Sequence, residues 1–142
     1  MNFKIKTLCG GFHDRDEVLL HAAFQVLADF MEKEKPGEFD WSASSKSRYA
    51  WKELTYLYKW WKKTRPARKD PLDRKCKVPD PLFLTSKDGH IRFYKEETPE
   101  RKKKYAAHFR AMKEFSRLEP NWIAEDQKNL CRLIAVRQYL WT

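Results

Sequence analysis

Residues 59–77 hold the side chains best suited to binding an anion, because nine lysines or arginines stand there against two acids. The segment begins inside an aromatic-rich stretch that contains Tyr56, Trp60 and Trp61. Cationic side chains neutralise phosphate groups, and flat rings stack on nucleobases. The sequence therefore predicts a site for a phosphate-rich ligand. Its candidate residues are Tyr56, Lys59, Trp60, Lys62, Lys63, Arg65, Arg68 and Lys69.

The spacing of these residues allows two interpretations. At about 100° per residue, one side of a helix carries three rings with three lysines along its edge. These residues are Tyr49, Tyr56, Trp60, Lys52, Lys59 and Lys63. Exposed to solvent, they form a stacking platform flanked by cations; otherwise the helix is buried on both sides, or within a homo-oligomer contact. The proline-stiffened arginines at 65 and 68 either grip phosphate or pair with acids of the first helix.

Arg137 is predicted to lie on the apolar side of the last helix. It follows Asp126, Leu130 and Leu133 at spacings of four, three and four residues, and a helix places such residues on one face. A guanidinium is not buried without a partner. The arginine therefore either pairs with an acid of another helix, such as Asp16, or lines a pocket for an anionic ligand.

Residues 13–17 are the first place to look for catalysis. His13-Asp14 is reminiscent of metal-dependent phosphohydrolases of the HD type, which need another histidine upstream, and no histidine precedes His13. Asp14 and Glu17 are three residues apart at a helix start, as in a capping box. A nuclease-like Mg²⁺ site on Asp14, Asp16 and Glu17 is the alternative. We expect no catalytic residue, no metal and no cofactor, and so a binding protein rather than an enzyme.

The composition limits the partners and the compartment. Apolar residues make up 42% and aromatic residues 15% of the 142 residues, enough for one domain over residues 1–142 with a packed core. The formal net charge of +10 favours nucleic acid, a nucleotide or an acidic host protein as partner. Three widely spaced cysteines, short apolar runs and no secretory signal predict a cytoplasmic protein that does not bind or cross a membrane.

The apolar pattern predicts a mainly α fold, a single domain of four helices with a small β element. The helices are expected at residues 14–34 and 47–64, after a Thr98 cap, and after Pro120 from Asn121. The apolar face of the first helix is expected to hold Leu20, Ala23, Phe24, Leu27, Phe30 and Met31. The β element is a strand over Asn2–Leu8, a hairpin around Asp88-Gly89, or both. Four prolines predict an irregular connection over residues 65–98.

Three stretches carry a family resemblance. They are residues 13–25 (HDRDEVLLHAAFQ), the Arg65–Pro71 run with Trp60-Trp61 before it, and residues 125–142, which begin EDQ and end RQYLWT. Together they resemble a family of small uncharacterised proteins encoded by tailed bacteriophages, while residues 72–118 lie outside the resemblance. The resemblance implies a phage product in the cytoplasm of the bacterial host, and it brings no activity and no catalytic residue.

These observations favour a non-enzymatic phage accessory protein that binds a phosphate-rich ligand, with nucleic acid as the main candidate, through its basic and aromatic surface. One alternative is a counter-defence protein that sequesters a nucleotide immune signal in a pocket of rings and Arg137. A further alternative is an inhibitor that docks on an acidic host protein.

Overall fold

The computed structural model describes residues 4–8, 10–73, 76–85, 88–94 and 97–140. The chain divides into two compact units, one of residues 1–68 with 122–142 and one of residues 69–121. The helical content confirms the predicted mainly α class. The helices are α1 (Arg15–Lys33), α2 (Ser45–Lys59), α3 (Pro99–Lys104) and α4 (Ala106–Val136), and the strands are β1 (Phe83–Thr85) and β2 (Ile91–Tyr94).

The first unit is built around an apolar core to which α1, α2 and the end of α4 each contribute one face. α1 buries residues at spacings of three and four, as its amphipathic sequence predicts. The core residues are Leu20, Phe24, Leu27, Phe30, Ala50, Leu54, Leu57, Trp60, Trp61, Leu130, Leu133 and Val136. Burial of one large apolar side chain contributes about 1.5–3 kcal/mol, so this core holds the three helices together.

The end of α2 changes helix type. Residues Trp60–Thr64 form a π-helix, in which the N–H of Arg65 donates to the carbonyl of Trp60 at 2.9 Å. A π turn holds one residue more than an α turn and occurs often at functional positions. Here two consecutive tryptophans, Trp60 and Trp61, both enter the core. The widened turn thereby decides which side of the segment faces solvent.

Side-chain caps start two of the helices. The Ser44 Oγ atom accepts the N–H of Ser47 at 3.0 Å, and the Thr98 Oγ1 atom accepts the N–H of Arg101 at 3.2 Å. The predicted Thr98 cap is confirmed. Asp14 stands at the cap position of α1, but its side chain makes no cap hydrogen bond. The capping box predicted there is therefore wrong.

α4 continues through Pro120, where the sequence predicted a new helix. Proline lacks the N–H that a helix uses, and its ring crowds the carbonyl four residues earlier. Beside this gap the Asn121 side chain donates to the Arg117 carbonyl at 3.4 Å. The chain leaves the helical region instead at Tyr105, with φ −109° and ψ 19°. The predicted helix start at Asn121 is therefore wrong, because complete turns on both sides carry the helix past one missing bond.

The second unit contains both strands and the short α3. The strands pair antiparallel, with Phe83 opposite Tyr94, Leu84 opposite Phe93 and Thr85 opposite Ile91. The register shifts between the last two pairs on β1. Gly89, in the connection between the strands, has φ 83°, a conformation that favours a residue without a Cβ atom.

The described residues of the N-terminal segment, 4–8, form a loop and a turn. The predicted strand over Asn2–Leu8 is therefore wrong for residues 4–8, while residues 2 and 3 lie outside the described part of the chain. The segment is joined to α1, because the N–H of Lys6 donates to Gln25 Oε1 at 3.0 Å. Gln25 is only 3% exposed. The backbone of this segment is therefore hydrogen-bonded to a buried side-chain amide of α1 and not to a neighbouring strand.

His21 forms a second link between this segment and the core. Its Nδ1 atom lies 2.7 Å from Thr7 Oγ1, and its ring meets Trp61 edge-on with the centroids 4.9 Å apart. The histidine is 6% exposed. Burial first, and then the positive charge of Arg65, lowers the pKa of His21 below its ordinary value. The folded state therefore favours the neutral imidazole.

We expect the protein to lose stability as the pH falls below about 6.5, with His21 as a main cause. The unfolded chain binds a proton at this histidine near its ordinary pKa, whereas the folded protein binds it only at lower pH. In that window the unfolded state holds more protons, so stability rises with pH. Glu17 and Asp126 raise the pKa of His21 and therefore reduce the effect without reversing it.

Urea unfolding at about pH 7.5 and about pH 5.5 measures this loss. His21→Gln keeps a polar side chain without a titrating ring, and we expect it to remove the greater part of the difference between the two pH values. A pH difference as large in His21→Gln as in the unmodified protein would contradict the assignment.

Candidate functional site

The two arginines predicted to hold phosphate are paired with acids of α4. The Arg65 Nη2 atom lies 3.1 Å from Asp126 Oδ2, and the Arg68 Nη2 atom lies 2.7 Å from Glu125 Oε2. Arg68 Nη2 also lies 2.6 Å from Asp126 Oδ1. Only 24% of the Arg65 side chain and 16% of the Arg68 side chain are exposed. We call Arg65, Arg68, Glu125 and Asp126 the arginine–acid cluster.

The cluster corrects the prediction that Arg65 and Arg68 hold a ligand. Both guanidinium groups already donate to carboxylates, so a phosphate would have to displace them. Burial by itself would lower the pKa of Arg68, but its hydrogen bonds to Asp126 and Glu125 outweigh burial and raise it. The alternative prediction is therefore confirmed in one part, since both arginines pair with acids, and wrong in the other, since the acids lie on α4 and not on the first helix.

Trp60 and Trp61 are sealed in the core, at 2% and 4% exposure. The Trp61 ring stacks on Phe24, with the centroids 4.7 Å apart and the planes at 16°. The Trp60 Nε1 atom donates to Glu125 Oε1 at 3.0 Å. The prediction that Trp60 offers a stacking face is therefore wrong: the π-helix turns it inward, and its one polar atom is satisfied by the arginine–acid cluster.

Lys62 is joined to α1. Its Nζ atom lies 2.9 Å from Glu32 Oε1, which also accepts the Tyr58 hydroxyl at 3.1 Å. The hydrogen bond from Lys62 holds the pKa of Glu32 below its usual value, and the same bond raises the pKa of Lys62. About half of the lysine side chain remains exposed, so an anion reaching it would compete with Glu32.

The remaining predicted residues of this segment lie on an exposed stripe. Tyr49 is 60% and Tyr56 47% exposed. Lysines alternate with these rings at spacings of three and four residues, which a helix brings onto one face. We call the set the α2 stripe: Tyr49, Lys52, Tyr56, Lys59 and Lys63. Within the described part of the chain, its three exposed lysines form no ion pair with a carboxylate.

Tyr56 is held in place from one side. The guanidinium carbon of Arg132, on α4, lies 4.2 Å from the centroid of the Tyr56 ring. Arg132 is itself fixed by Glu53, with Nε to Oε2 at 2.8 Å and Nη2 to Oε1 at 3.0 Å. The hydrogen bonds that Arg132 donates to Glu53 raise the pKa of Arg132. One face of the Tyr56 ring is therefore covered by the Arg132 guanidinium. The part of the ring exposed to solvent is its other face and its edge.

Sequence reasoning missed Arg132 and Glu53. One signal was present, because Glu53 is the single acid between residues 45 and 64. A lone carboxylate in a basic helix indicates a partner on a neighbouring element. The sequence could not identify that partner, since Arg132 lies 79 residues further along the chain.

Arg137 lies outside any buried site. It is exposed, and its Nη1 atom donates to the Ile134 carbonyl at 3.0 Å, near the end of α4. Both interpretations of Arg137, an ion pair with Asp16 and a pocket arginine, are therefore wrong. The spacing argument holds only for Asp126, which does find partners in Arg65 and Arg68. Lys69 is exposed and belongs to the second unit.

The residues considered for catalysis, 13–17, lie at the start of α1 and outside the arginine–acid cluster and the α2 stripe. His13 Nδ1 is 3.2 Å from Glu17 Oε2 across one turn. No group of three or more metal-ligating side chains occurs among the residues that the structure describes. A depression of about 360 Å³ in the second unit is lined by Glu97, Lys102, Ala106 and Phe109, and none of them is a predicted site residue.

Comparison with known proteins adds no name to this site. No family model, curated protein or solved structure matches the chain. Among the described residues, no helix is both long enough and apolar enough to cross a membrane.

Proposed function

We propose that the protein is a non-enzymatic binding protein for a phosphate-rich polymer, nucleic acid, and that it binds through the α2 stripe. One observation carries the proposal. Of the six cations in residues 52–68, three are paired with acids, namely Lys62, Arg65 and Arg68. The other three, Lys52, Lys59 and Lys63, stay exposed on one face together with two exposed tyrosines. Proteins bind nucleic acid through lysines that neutralise phosphates and aromatic rings that stack on bases.

The geometry of the stripe suits a polymer better than a small anion. Tyr49 and Tyr56 are seven residues apart, as are Lys52 and Lys59, which corresponds to about 10.5 Å along a helix. Charges spread over such a length contact several phosphates at once, and each contact adds to affinity by releasing condensed counterions. The net charge of +10 steers a polyanion to the protein over a longer range.

The pocket alternative receives no support from Arg137, which is exposed and bonded to Ile134. Docking on an acidic host protein would use the same lysines and would also bury the two rings, so the comparison with an acidic peptide described below separates the two functions. In keeping with the resemblance to tailed-phage proteins, we propose that the binding takes place in the cytoplasm of an infected bacterium.

Fluorescence anisotropy with a labelled oligonucleotide at several salt concentrations tests the proposal. We expect the logarithm of the affinity to fall linearly with the logarithm of the salt concentration, by about 0.7 per phosphate contacted on a single strand. Replacing Lys52, Lys59 and Lys63 by alanine should weaken binding at least about tenfold and reduce the slope by about two.

The matched control replaces three exposed lysines of the second unit, Lys77, Lys103 and Lys113, by alanine. It removes the same net charge, so a specific stripe predicts a much smaller loss in this variant. Equal losses in the two triple variants, or affinity that does not change with salt, would contradict the proposal. Tighter binding to an acidic peptide of matched charge would favour the host-protein alternative.

A further inference from the structure

The α2 stripe contains two tyrosine rings as well as three lysines. The rings bear on whether the ligand is single-stranded or double-stranded nucleic acid. Tyr49 and Tyr56 are 60% and 47% exposed, although both could contribute more to stability in a core. They stand on the same helix face as the unpaired lysines Lys52 and Lys59. A ligand that bound through phosphate alone would need only the lysines. The rings are explained by a ligand whose bases are also accessible.

Duplexes and single strands differ in whether the faces of their bases are accessible to a protein. In a duplex the base faces are stacked on one another, and proteins reach it through phosphates and groove edges. In a single strand the bases can turn outward and stack on aromatic side chains, whatever their sequence. From the interleaving of exposed rings and unpaired lysines we infer that the α2 stripe binds single-stranded nucleic acid in preference to duplex, with an unpaired base on the free face of Tyr56. This inference rests on the proposed function.

The contact between Arg132 and Tyr56 is a further reason to place the stacked base on this ring. Arg132 lies 4.2 Å from its centroid and is itself held by two hydrogen bonds to Glu53. A ring fixed before binding loses less conformational freedom when a base stacks on it. The cation also completes a layered arrangement of guanidinium, phenol ring and base. Arg132 is thus a positioning residue for Tyr56, and its own charge is already matched by Glu53.

Tyr49 provides the second stacking position. It precedes Tyr56 by two helical turns, about 10.5 Å along α2, and Lys52 lies between the two rings in the sequence. A strand that follows the helix can therefore place a phosphate between two stacked bases. No cation–ring contact supports Tyr49 among the described residues, so we expect its contribution to be smaller than that of Tyr56.

The test compares one oligodeoxynucleotide of mixed sequence in three forms: single-stranded, annealed to its complement, and as a single strand of the same length whose sugars carry no bases. All three are titrated at one salt concentration with the unmodified protein, Tyr56→Ala and Tyr56→Phe. We expect the single strand to bind about tenfold more tightly than the base-free strand, and Tyr56→Ala to lose most of that margin. Tyr56→Phe should retain it, because phenylalanine keeps the ring.

The duplex titration completes the test. We expect Tyr56→Ala to change duplex affinity less than twofold. Equal affinity of the unmodified protein for the single strand and the base-free strand would overturn the inference, as would an equal loss for single strand and duplex on Tyr56→Ala. In both cases the proposed function still stands if the triple lysine variant loses binding. Failure of the triple lysine variant to lose binding overturns the proposed function itself.

Discussion

Replacing Asp126 by asparagine is expected to lower the free energy of unfolding by about 3 kcal/mol. Asp126 accepts hydrogen bonds from both Arg65 and Arg68, at 3.1 Å and 2.6 Å. Its side chain is 17% exposed, so the pairs are largely screened from water. Without the carboxylate, Arg68 keeps Glu125, whereas Arg65 has no other carboxylate partner among the described residues. Leaving a largely buried charge without its partner is costly.

Equilibrium unfolding in urea measures this effect, with Glu38→Gln as the control. Glu38 is exposed, and its substitution removes one negative charge as Asp126→Asn does. We expect the control to change stability by less than about 0.5 kcal/mol. Asp126→Asn within that same margin would show that the arginine–acid cluster contributes little.

A second comparison separates two effects of removing Asp126. One is the loss of its attraction to the two arginines, and the other is the burial of a guanidinium group that has lost its carboxylate. In Arg65→Met with Arg68→Met and Asp126→Leu, no guanidinium is left without its carboxylate, and similar volume is kept. Glu125 loses Arg68 in this variant, but its side chain is 40% exposed and keeps the Trp60 Nε1 donor. Replacing a buried ion network by apolar residues is often neutral or stabilising. We therefore expect this triple variant to be more stable than Asp126→Asn. A triple variant less stable than the single one would indicate that the charges themselves are net stabilising.

Replacing Trp60 by alanine is expected to cost about 4 kcal/mol of unfolding free energy. The ring is 2% exposed and packs at 5.2 Å from the Phe24 ring, measured between centroids. Its removal leaves a cavity beside the π-helix, and Glu125 loses the Nε1 donor at 3.0 Å. Both consequences act in the same direction.

Tyr56→Ala is the matched control, since Tyr56 lies on the same helix one turn earlier. Its ring is about half exposed and contacts Arg132, so we expect a loss below about 1 kcal/mol. Thermal unfolding followed by circular dichroism distinguishes the two variants. Similar shifts for Trp60→Ala and Tyr56→Ala would contradict the assignment of one ring to the core and the other to solvent.

This contrast bears on the proposed binding. If Tyr56→Ala leaves the fold intact, its effect on affinity for a single strand reports the binding surface alone. Trp60→Ala gives no such information, because a disturbed core moves the whole α2 stripe. The arginine–acid cluster is likewise a structural support of the stripe, and variants within it are tests of stability.

Sequence and structure agree where local chemistry decides the outcome. The spacing of Leu20, Phe24 and Leu27 predicted the buried face of α1, and the hydroxyl of Thr98 predicted the start of α3. Both follow from residues within one or two turns of each other. Pro120 shows the limit of this kind of reasoning: it costs a helix one hydrogen bond, but it does not end α4.

The sequence by itself determined the mainly helical class, the core stripe of α1 and the presence of a basic, aromatic α2. Only the tertiary structure decided that Trp60 is buried, that Tyr56 is exposed, and that Arg65 and Arg68 meet Asp126 about sixty residues away. The physical reason is that helical periodicity reports which residues share a face. Which face meets the core, and which charges find partners, depends on helices that are distant in the chain and adjacent in space.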